Sequence, residues 1–145
     1  MVQVVDDSVA LANELRPVLL RIARHLRAET HTRGMTGGQV SLLVALEFNP
    51  GMTQQQLAAR EGLSAPGVSG HLARLEGQGL IRRERTSDRR RVGLHLTEEG
   101  KRVLAVIREQ RTSWLAARID ELTREDREKL RAAVGPLDQV SMGDR

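Results

Sequence analysis

Residues 53–97, TQQQLAAREGLSAPGVSGHLARLEGQGLIRRERTSDRRRVGLHLT, decide the fold because the spacing of their apolar residues changes along the segment. In the first half the apolar residues recur at intervals of three and four, which predicts helices. In the second half Val92, Leu94 and Leu96 alternate with other residues, which predicts a β-strand. The segment therefore predicts two short helices joined by a tight turn and then a β-hairpin.

Helix starts in and beside this segment are marked by residues that cap helices. Thr36 and Thr53 are each followed by a glutamine three residues later, which is the spacing of a capping box. Ser64 is a third N-cap, and Pro66 is tolerated because it falls in the first helical turn. These signals predict a head of about residues 36–100, with helices over 36–48, 53–61 and 64–78 and strands over 80–86 and 92–97.

A longer helix is predicted on each side of the head. An apolar stripe runs over residues 8–31, where Pro17 predicts either a kink or a helix that begins near it. Thr97 caps a helix after the hairpin, and Thr123 caps a last helix whose tail is expected to fray from Gln139. The chain is thus predicted to be one domain, mainly α with a small β-hairpin.

The composition limits the class of protein. Of the 145 residues, 39% are hydrophobic and 29% are charged, an ordinary mixture for a globular chain. No apolar run reaches the ~20 residues that cross a bilayer, and the N-terminus lacks a basic stretch followed by an apolar one. We therefore expect a cytoplasmic protein without membrane contact. The absence of cysteine excludes a disulfide framework and a thiol redox switch.

Residue types that carry catalysis or bind metals form no convincing pattern. The four histidines are scattered without the ligand spacing of a metal site, so neither a metal nor another cofactor is expected. No Ser/His/Asp arrangement, carboxylate pair or phosphate-binding glycine loop is recognisable. The sequence therefore does not predict an enzyme.

Positive charge is concentrated in the predicted hairpin. Residues 82–91 contain six arginines and two acidic residues, and their net charge of +4 equals that of the whole chain. Such a concentration is typical of a protein that binds a polyanion, although a solvated basic loop would have the same composition.

The helix that follows Ser64 has two different faces. Val68, Leu72 and Leu75 fall on one stripe and are expected to be buried. The opposite face is small and polar with a single arginine, so it suits entry into a major groove. Together with the basic hairpin, this arrangement is a winged helix-turn-helix, and double-stranded DNA is the expected partner.

The hairpin loop itself suits a minor groove. A narrow minor groove attracts arginine, so Arg90 or a neighbour is expected there, while Asp88 holds the loop or orients the guanidinium. Arginines 82, 83 and 85 of the first strand are expected at phosphates. The candidate DNA-binding residues are Ser64, Pro66, Ser69, Gly70, His71, Arg74, Arg83, Arg85, Asp88, Arg89, Arg90 and Arg91.

Residues 36–100 resemble the MarR family of transcription regulators, named for multiple antibiotic resistance. The order of elements, with one helix before the head and two after it, matches the family as well. The motif that carries the resemblance consists of Leu57-Ala58, Leu63-Ser64, Val68-Ser69, Leu72, Arg74-Leu75-Glu76, Gly79-Leu80-Ile81 and Arg83, and then of Asp88-x-Arg90-x5-Leu96-Thr97-x-x-Gly100.

The resemblance implies a homodimer, built from the first and last helices, that binds an inverted-repeat operator. It also implies that Arg90 enters the minor groove, that the early turns of the Ser64 helix contact bases, and that a small-molecule inducer is bound. This chain departs from the family at Gly67 and Gly70, where larger polar residues are common. Base contacts are therefore expected from the remaining polar side chains of this helix, Ser69, His71 and Arg74.

A homodimer is also expected from the apolar surface of the outer helices. The helix over 97–121 would be about 36 Å long and would extend beyond the head. We therefore expect a second copy of the chain to bury its apolar surface. Dimerisation helices are predicted over about 8–33 and 97–138, and two heads would meet half-sites ~34 Å apart. The candidate interface residues are Leu11, Leu15, Trp114, Leu115, Ile119, Leu130 and Val134.

The family pocket lies between the dimer helices and the head. Its candidates in this chain are Arg16, Leu19, Arg24, His31 and Trp114, whereas Phe48 is expected in the core. The function predicted overall is that of a ligand-responsive repressor. The alternative is an architectural DNA-binding protein that tolerates many sequences.

Overall fold

The structure is a computed structural model that describes residues 2–31, 34–88 and 90–143. These residues form six helices and two strands, which confirms the predicted fold class of a mainly α chain with a small β-hairpin. The elements in chain order are α1 (Val2–His31), α2 (Gly37–Phe48), α3 (Gln54–Glu61), α4 (Ala65–Gly77), β1 (Ile81–Arg85), β2 (Val92–Leu96), α5 (Glu98–Asp120) and α6 (Arg124–Ser141).

The predicted helix caps are confirmed. The hydroxyls of Thr36 and Thr53 each accept a hydrogen bond from the backbone N–H three residues later, and the side-chain oxygen of the glutamine there accepts one from the backbone N–H of the cap. Ser64, Thr97 and Thr123 accept the corresponding bond at the starts of α4, α5 and α6. Each cap satisfies a backbone donor that the helix itself leaves free, so these starts are fixed locally.

The hairpin β1–β2, which we call the wing, is antiparallel, with Ile81 opposite Leu96 and Arg85 opposite Val92. It is attached to the head by the loop between α2 and α3. The Leu94 N–H donates to the carbonyl of Met52 at 2.8 Å, and the Gly51 N–H donates to the carbonyl of Leu94 at 2.9 Å. These bonds form an isolated β-bridge between Met52 and Leu94, which supports the two-stranded sheet.

The hydrophobic core lies inside the head. Val68, Leu72 and Leu75 of α4 are fully buried, as predicted, and pack with leucines of α2 and α3 and with the inner face of the wing. Leu104 and Ile107 extend the core into α5. Because α4 buries one side completely, its other side is left to solvent.

Three predictions, two about the outer helices and one about Phe48, were wrong. Helix α1 begins at Val2 rather than near residue 8. It continues through Pro17, so of the two alternatives for this proline a helix that begins there is excluded. Helix α6 continues to Ser141, past the residue where fraying was expected. Phe48 is 72% exposed rather than buried, because it is the last residue of α2 and no described element covers it. Within the described ranges, no helix has the length and apolar composition that a membrane crossing requires.

Candidate nucleic-acid interface

The exposed side of α4 is open and built from small residues. Pro66, Ser69, Gly70 and Arg74 are exposed, and a β-carbon at Gly70 would meet no atom within 4 Å. The helix starts at Ser64, whose hydroxyl accepts the Gly67 N–H at 3.2 Å. A helix with one side fixed in the core and the other uncovered has the form needed to enter a major groove.

His71 occupies a different position from the other polar residues of α4. It is half-buried, and its Nε2 lies 3.4 Å from where a β-carbon of Gly38 would be. The imidazole therefore packs against the first turn of α2. Of the three side chains expected to contact bases, Ser69 and Arg74 lie on the open side and His71 lies at its edge.

The loop of the wing is closed by backbone hydrogen bonds. The Thr86 N–H donates to the Arg91 carbonyl at 3.1 Å, and the Arg91 N–H donates to the Asp88 carbonyl at 3.0 Å. A carboxylate oxygen of Asp88 accepts the backbone N–H of Arg90 at 3.4 Å. Of the two predicted roles for Asp88, the structure supports the one in which it holds the loop.

Two arginines of the loop are open to solvent. Arg90 and Arg91 are exposed, and neither side chain forms an ion pair with a described residue. Arg89, which was also predicted to bind DNA, lies outside the described residues. Two uncompensated guanidinium groups therefore lie at the tip of the wing.

The outer face of the wing carries a paired cluster of charges. Arg82 donates to Glu84 at 2.5 Å, and the same carboxylate lies 3.6 Å from His95 on the facing strand. The hydrogen bond from Arg82 lowers the pKa of the Glu84 carboxyl from its ordinary value. Arg82 is thus neutralised locally, which does not favour its predicted contact with phosphate.

The other two arginines of β1 share the opposite face but differ in their partners. Arg83 donates to the Glu76 carboxylate of α4 at 3.0 Å and to the side-chain oxygen of Gln54 in α3 at 3.5 Å. Arg85, two residues further along, is exposed and pairs with none of the residues that the structure describes. Among the described residues of α4 and the wing, the arginines without an ion-pair partner are Arg74, Arg85, Arg90 and Arg91.

A cleft of about 330 Å³ lies between α1, α2 and α5. Arg111 reaches into it from α5 and donates its Nε–H to the Leu26 carbonyl at 3.1 Å. Burial lowers the pKa of the Arg111 guanidinium, and the nearby positive charge of Arg27 lowers it further. The lining is mainly apolar and consists of Ala23, Leu26, Arg27, Gly37, Val40, Ser41, Val44 and Arg111.

None of the residues predicted for the ligand pocket lines this cleft. Arg16, Leu19 and Arg24 lie elsewhere along α1, and the side chain of His31 is outside the described residues. The Trp114 ring stacks on His25 with the ring centroids 5.2 Å apart, and the guanidinium of Arg118 lies 4.5 Å above it. Arg27 and Arg111 were missed because they come together only when α1 packs against α5.

The residues predicted for a dimer interface fall into two groups. Leu11 and Leu15 of α1 and Leu130 and Val134 of α6 are exposed in the single chain. Trp114, Leu115 and Ile119 of α5 are half-buried within it. No residue of α6 is buried, although this helix is 18 residues long. Across the part of the chain that the structure describes, no three His, Asp or Glu side chains are grouped so that they could hold a metal ion.

Comparisons with known proteins agree with this arrangement. The sequence profile described as "MarR family" matches residues 33–91. An HTH-type transcriptional regulator of Mycobacterium tuberculosis is 31% identical over 129 residues, which cover 88% of this chain and 90% of the relative.

Two solved structures are similar in fold. A transcriptional regulator of Thermotoga maritima superposes with a TM-score of 0.77 at 23% identity, covering 90% of this chain and 93% of the other. A mutant of MepR from Staphylococcus aureus, bound to an oligodeoxyribonucleotide, superposes with a TM-score of 0.68 at 21% identity, covering 91% and 98%. The chain is therefore a member of the MarR family of transcriptional regulators.

Proposed function

We propose that this protein is a homodimeric repressor that binds an inverted-repeat DNA operator and responds to a small anionic molecule. The observation that carries the proposal is the open side of α4 lying on the same head as the unpaired arginines of the wing. A small-residue helix suits a major groove, and an arginine at a loop tip suits the adjacent minor groove. The similar fold of a MepR mutant bound to an oligodeoxyribonucleotide supports DNA as the partner.

The homodimer is supported by the uncovered apolar residues of α1 and α6. An 18-residue helix gains most of its stability from packing, yet within its own chain α6 has no buried residue, and only Ala133 and Leu137 are half-buried. Leu130 and Val134 share one side of α6, and Leu11 and Leu15 share one side of α1. A second copy that covers both helices would bury them, and a twofold axis would then present two heads to two half-sites.

The first experiment measures binding to the region upstream of the gene and to random DNA of equal length. A repressor with an operator is expected to bind the upstream region at least tenfold more tightly and to protect two half-sites about one helical turn apart. A ratio below tenfold would favour the alternative, an architectural protein that tolerates many sequences. The affinity should also fall steeply with salt because arginines displace counterions from phosphates.

The response to a small anion is proposed from the cleft that Arg27 and Arg111 line. A planar carboxylate could pair with the Arg111 guanidinium while its apolar body contacts the rest of the lining. Benzoate is a suitable probe, and benzamide is the uncharged control of the same shape. We expect benzoate, but not benzamide, to weaken operator binding in the wild type, and we expect no such effect in Arg111→Gln. An equal response to both probes would contradict an anion site.

A further inference from the structure

One side chain connects the three parts of the DNA-binding head. The Arg83 guanidinium, in the middle of β1, donates its Nε–H to both oxygens of the Glu76 carboxylate, at 3.0 and 3.3 Å. Its Nη1 reaches the side-chain oxygen of Gln54 at 3.5 Å. Glu76 lies in the last turn of α4, and Gln54 is the first residue of α3. Arg83 therefore joins the wing to both helices of the helix-turn-helix.

Arg85 provides an internal comparison for Arg83. The two arginines are two residues apart on one strand, so their side chains leave the same face of the wing. Glu76 compensates the charge of Arg83, whereas Arg85 has no ion-pair partner among the described residues. A guanidinium already paired with a carboxylate adds little net charge to the surface that faces a duplex, and Arg85 adds a full charge.

The wing needs such a connection because a two-stranded hairpin has little rigidity of its own. The loop between α2 and α3 holds the wing at Leu94, in β2. Arg83 holds it on the other strand and fastens it to the helix that would enter the major groove. Contacts in two adjacent grooves form together at a lower entropic cost if the angle between α4 and the wing is fixed beforehand.

We propose that Arg83 is a positioning residue, which fixes the angle between α4 and the wing through Glu76 and does not neutralise a phosphate. The proposal rests on the proposed DNA-binding function, and it replaces the phosphate contact that the sequence predicts for this arginine. Glu76 is then part of the DNA-binding machinery although it carries a negative charge.

The first test replaces Glu76 by Ala. Removing a carboxylate from a surface that faces DNA would ordinarily strengthen binding, because it removes repulsion and frees a positive charge. The proposal predicts the opposite for the operator: at least fivefold weaker binding, with no loss of affinity for random DNA. Operator binding that equals or exceeds the wild-type affinity would overturn the proposal.

The second test compares the salt dependence of Arg83→Gln and Arg85→Gln. Log affinity falls linearly with log salt concentration, and each lost phosphate contact makes this slope less steep by about 0.9. Arg85→Gln should make the slope less steep by this amount per protomer. Arg83→Gln should weaken operator binding but leave the slope as steep as in the wild type. Equal reductions of the slope in both variants would show that Arg83 does contact phosphate.

The third test distinguishes positioning from a general loss of structure. If Arg83 acts through the wing, Arg83→Gln should cost several-fold less affinity in an Arg90→Ala background than in the wild type, because the wing contact is already lost there. Equal costs in the two backgrounds would overturn the proposal. Thermal unfolding of each variant verifies that the head remains folded, and a wild-type protein without operator preference would instead refute the proposed function itself.

Discussion

Gly100 lies against the backbone of Leu80 so closely that a β-carbon at position 100 would be 2.2 Å from the Leu80 carbonyl oxygen. The same junction holds the hydrogen bonds from the Thr97 hydroxyl to the Gly79 carbonyl, at 2.6 Å, and from the Thr97 N–H to the Leu80 carbonyl, at 3.0 Å. The start of α5 is thus fixed to the turn between α4 and β1. Only glycine leaves room for this contact.

The first prediction concerns this contact. Gly100→Ala should lower the free energy of unfolding by about 1–3 kcal/mol, the usual cost of forcing an extra methyl group into a packed site. Gly70→Ala, in α4 with no atom within 4 Å of the added β-carbon, is the control and should raise it by roughly 0.5–1 kcal/mol. Urea unfolding measures both, and an equally stable Gly100→Ala protein would contradict the close contact.

The second prediction concerns the open side of α4. Gly70 is helical and unobstructed, so Gly70→Ala should stabilise the protein. If this side enters a groove closely, the added methyl group should nevertheless weaken operator binding by about 1–3 kcal/mol. Parallel measurements of unfolding and of operator affinity test this, with Gly77→Ala, at the unobstructed last residue of α4, expected to retain full affinity. Full affinity in Gly70→Ala would mean that DNA does not approach α4 closely at this residue.

The third prediction concerns the tip of the wing. Arg90→Ala should weaken operator binding by about 1–3 kcal/mol, as expected for the loss of one specific contact. Arg131→Ala on α6, where the arginine pairs with Glu128 at 3.0 Å, is the control and should bind normally. Titration of labelled operator at moderate salt gives both affinities. If Arg90→Ala binds the operator as tightly as the control, Arg90 does not contact DNA.

The fourth prediction concerns dimerisation. Val134 is 65% exposed in the single chain, so Val134→Asp should leave the protomer folded while a charge is placed in the proposed interface. Sedimentation velocity should show a shift towards monomer, and operator binding should be lost with it. Ala132→Asp, exposed on the opposite side of α6, is the control for the same gain of charge outside the apolar side. A dimer that persists in Val134→Asp would contradict this use of α6.

The fifth prediction concerns pH. The hydrogen bond from Arg108 lowers the folded-state pKa of Glu47 below its ordinary value of 4.5. This pair therefore stabilises the fold fully above pH 4.5, and its contribution disappears as the pH falls through the lowered pKa. The contribution of such a partly exposed pair is about 1 kcal/mol or less. Glu47→Gln should flatten this part of the stability curve in acid unfolding, and an unchanged curve would count against the pair.

Local signals were sufficient to predict most of the head. The capping threonines and Ser64 determine where helices begin, and Val68, Leu72 and Leu75 determine which side of α4 is buried, because both effects act within a few residues. Phe48 was placed wrongly since hydrophobicity alone does not reveal that the core ends before the last residue of α2. Whether the last residue of a helix reaches the core depends on how the neighbouring elements pack in the tertiary structure.

The chemistry of the candidate site was predicted less completely than its location. Charge counting placed all three arginines of β1 at phosphates, but two of them have carboxylate partners in the structure. Glu76 is seven residues from Arg83, and only the turn between α4 and β1 brings them together. Likewise Arg111 and the Leu26 carbonyl are 85 residues apart, so no spacing rule connects them.

Trp114 is the single tryptophan of the chain, which has no tyrosine. Its indole contacts the imidazole of His25 and the guanidinium of Arg118, where α1 meets α5. Ultraviolet emission excited at the red edge of protein absorption therefore originates from this one place. A rearrangement of α1 against α5, whether caused by subunit exchange or by an effector, should change the wavelength or the intensity of that emission. The fluorescence of the unlabelled protein therefore reports on the contact between α1 and α5.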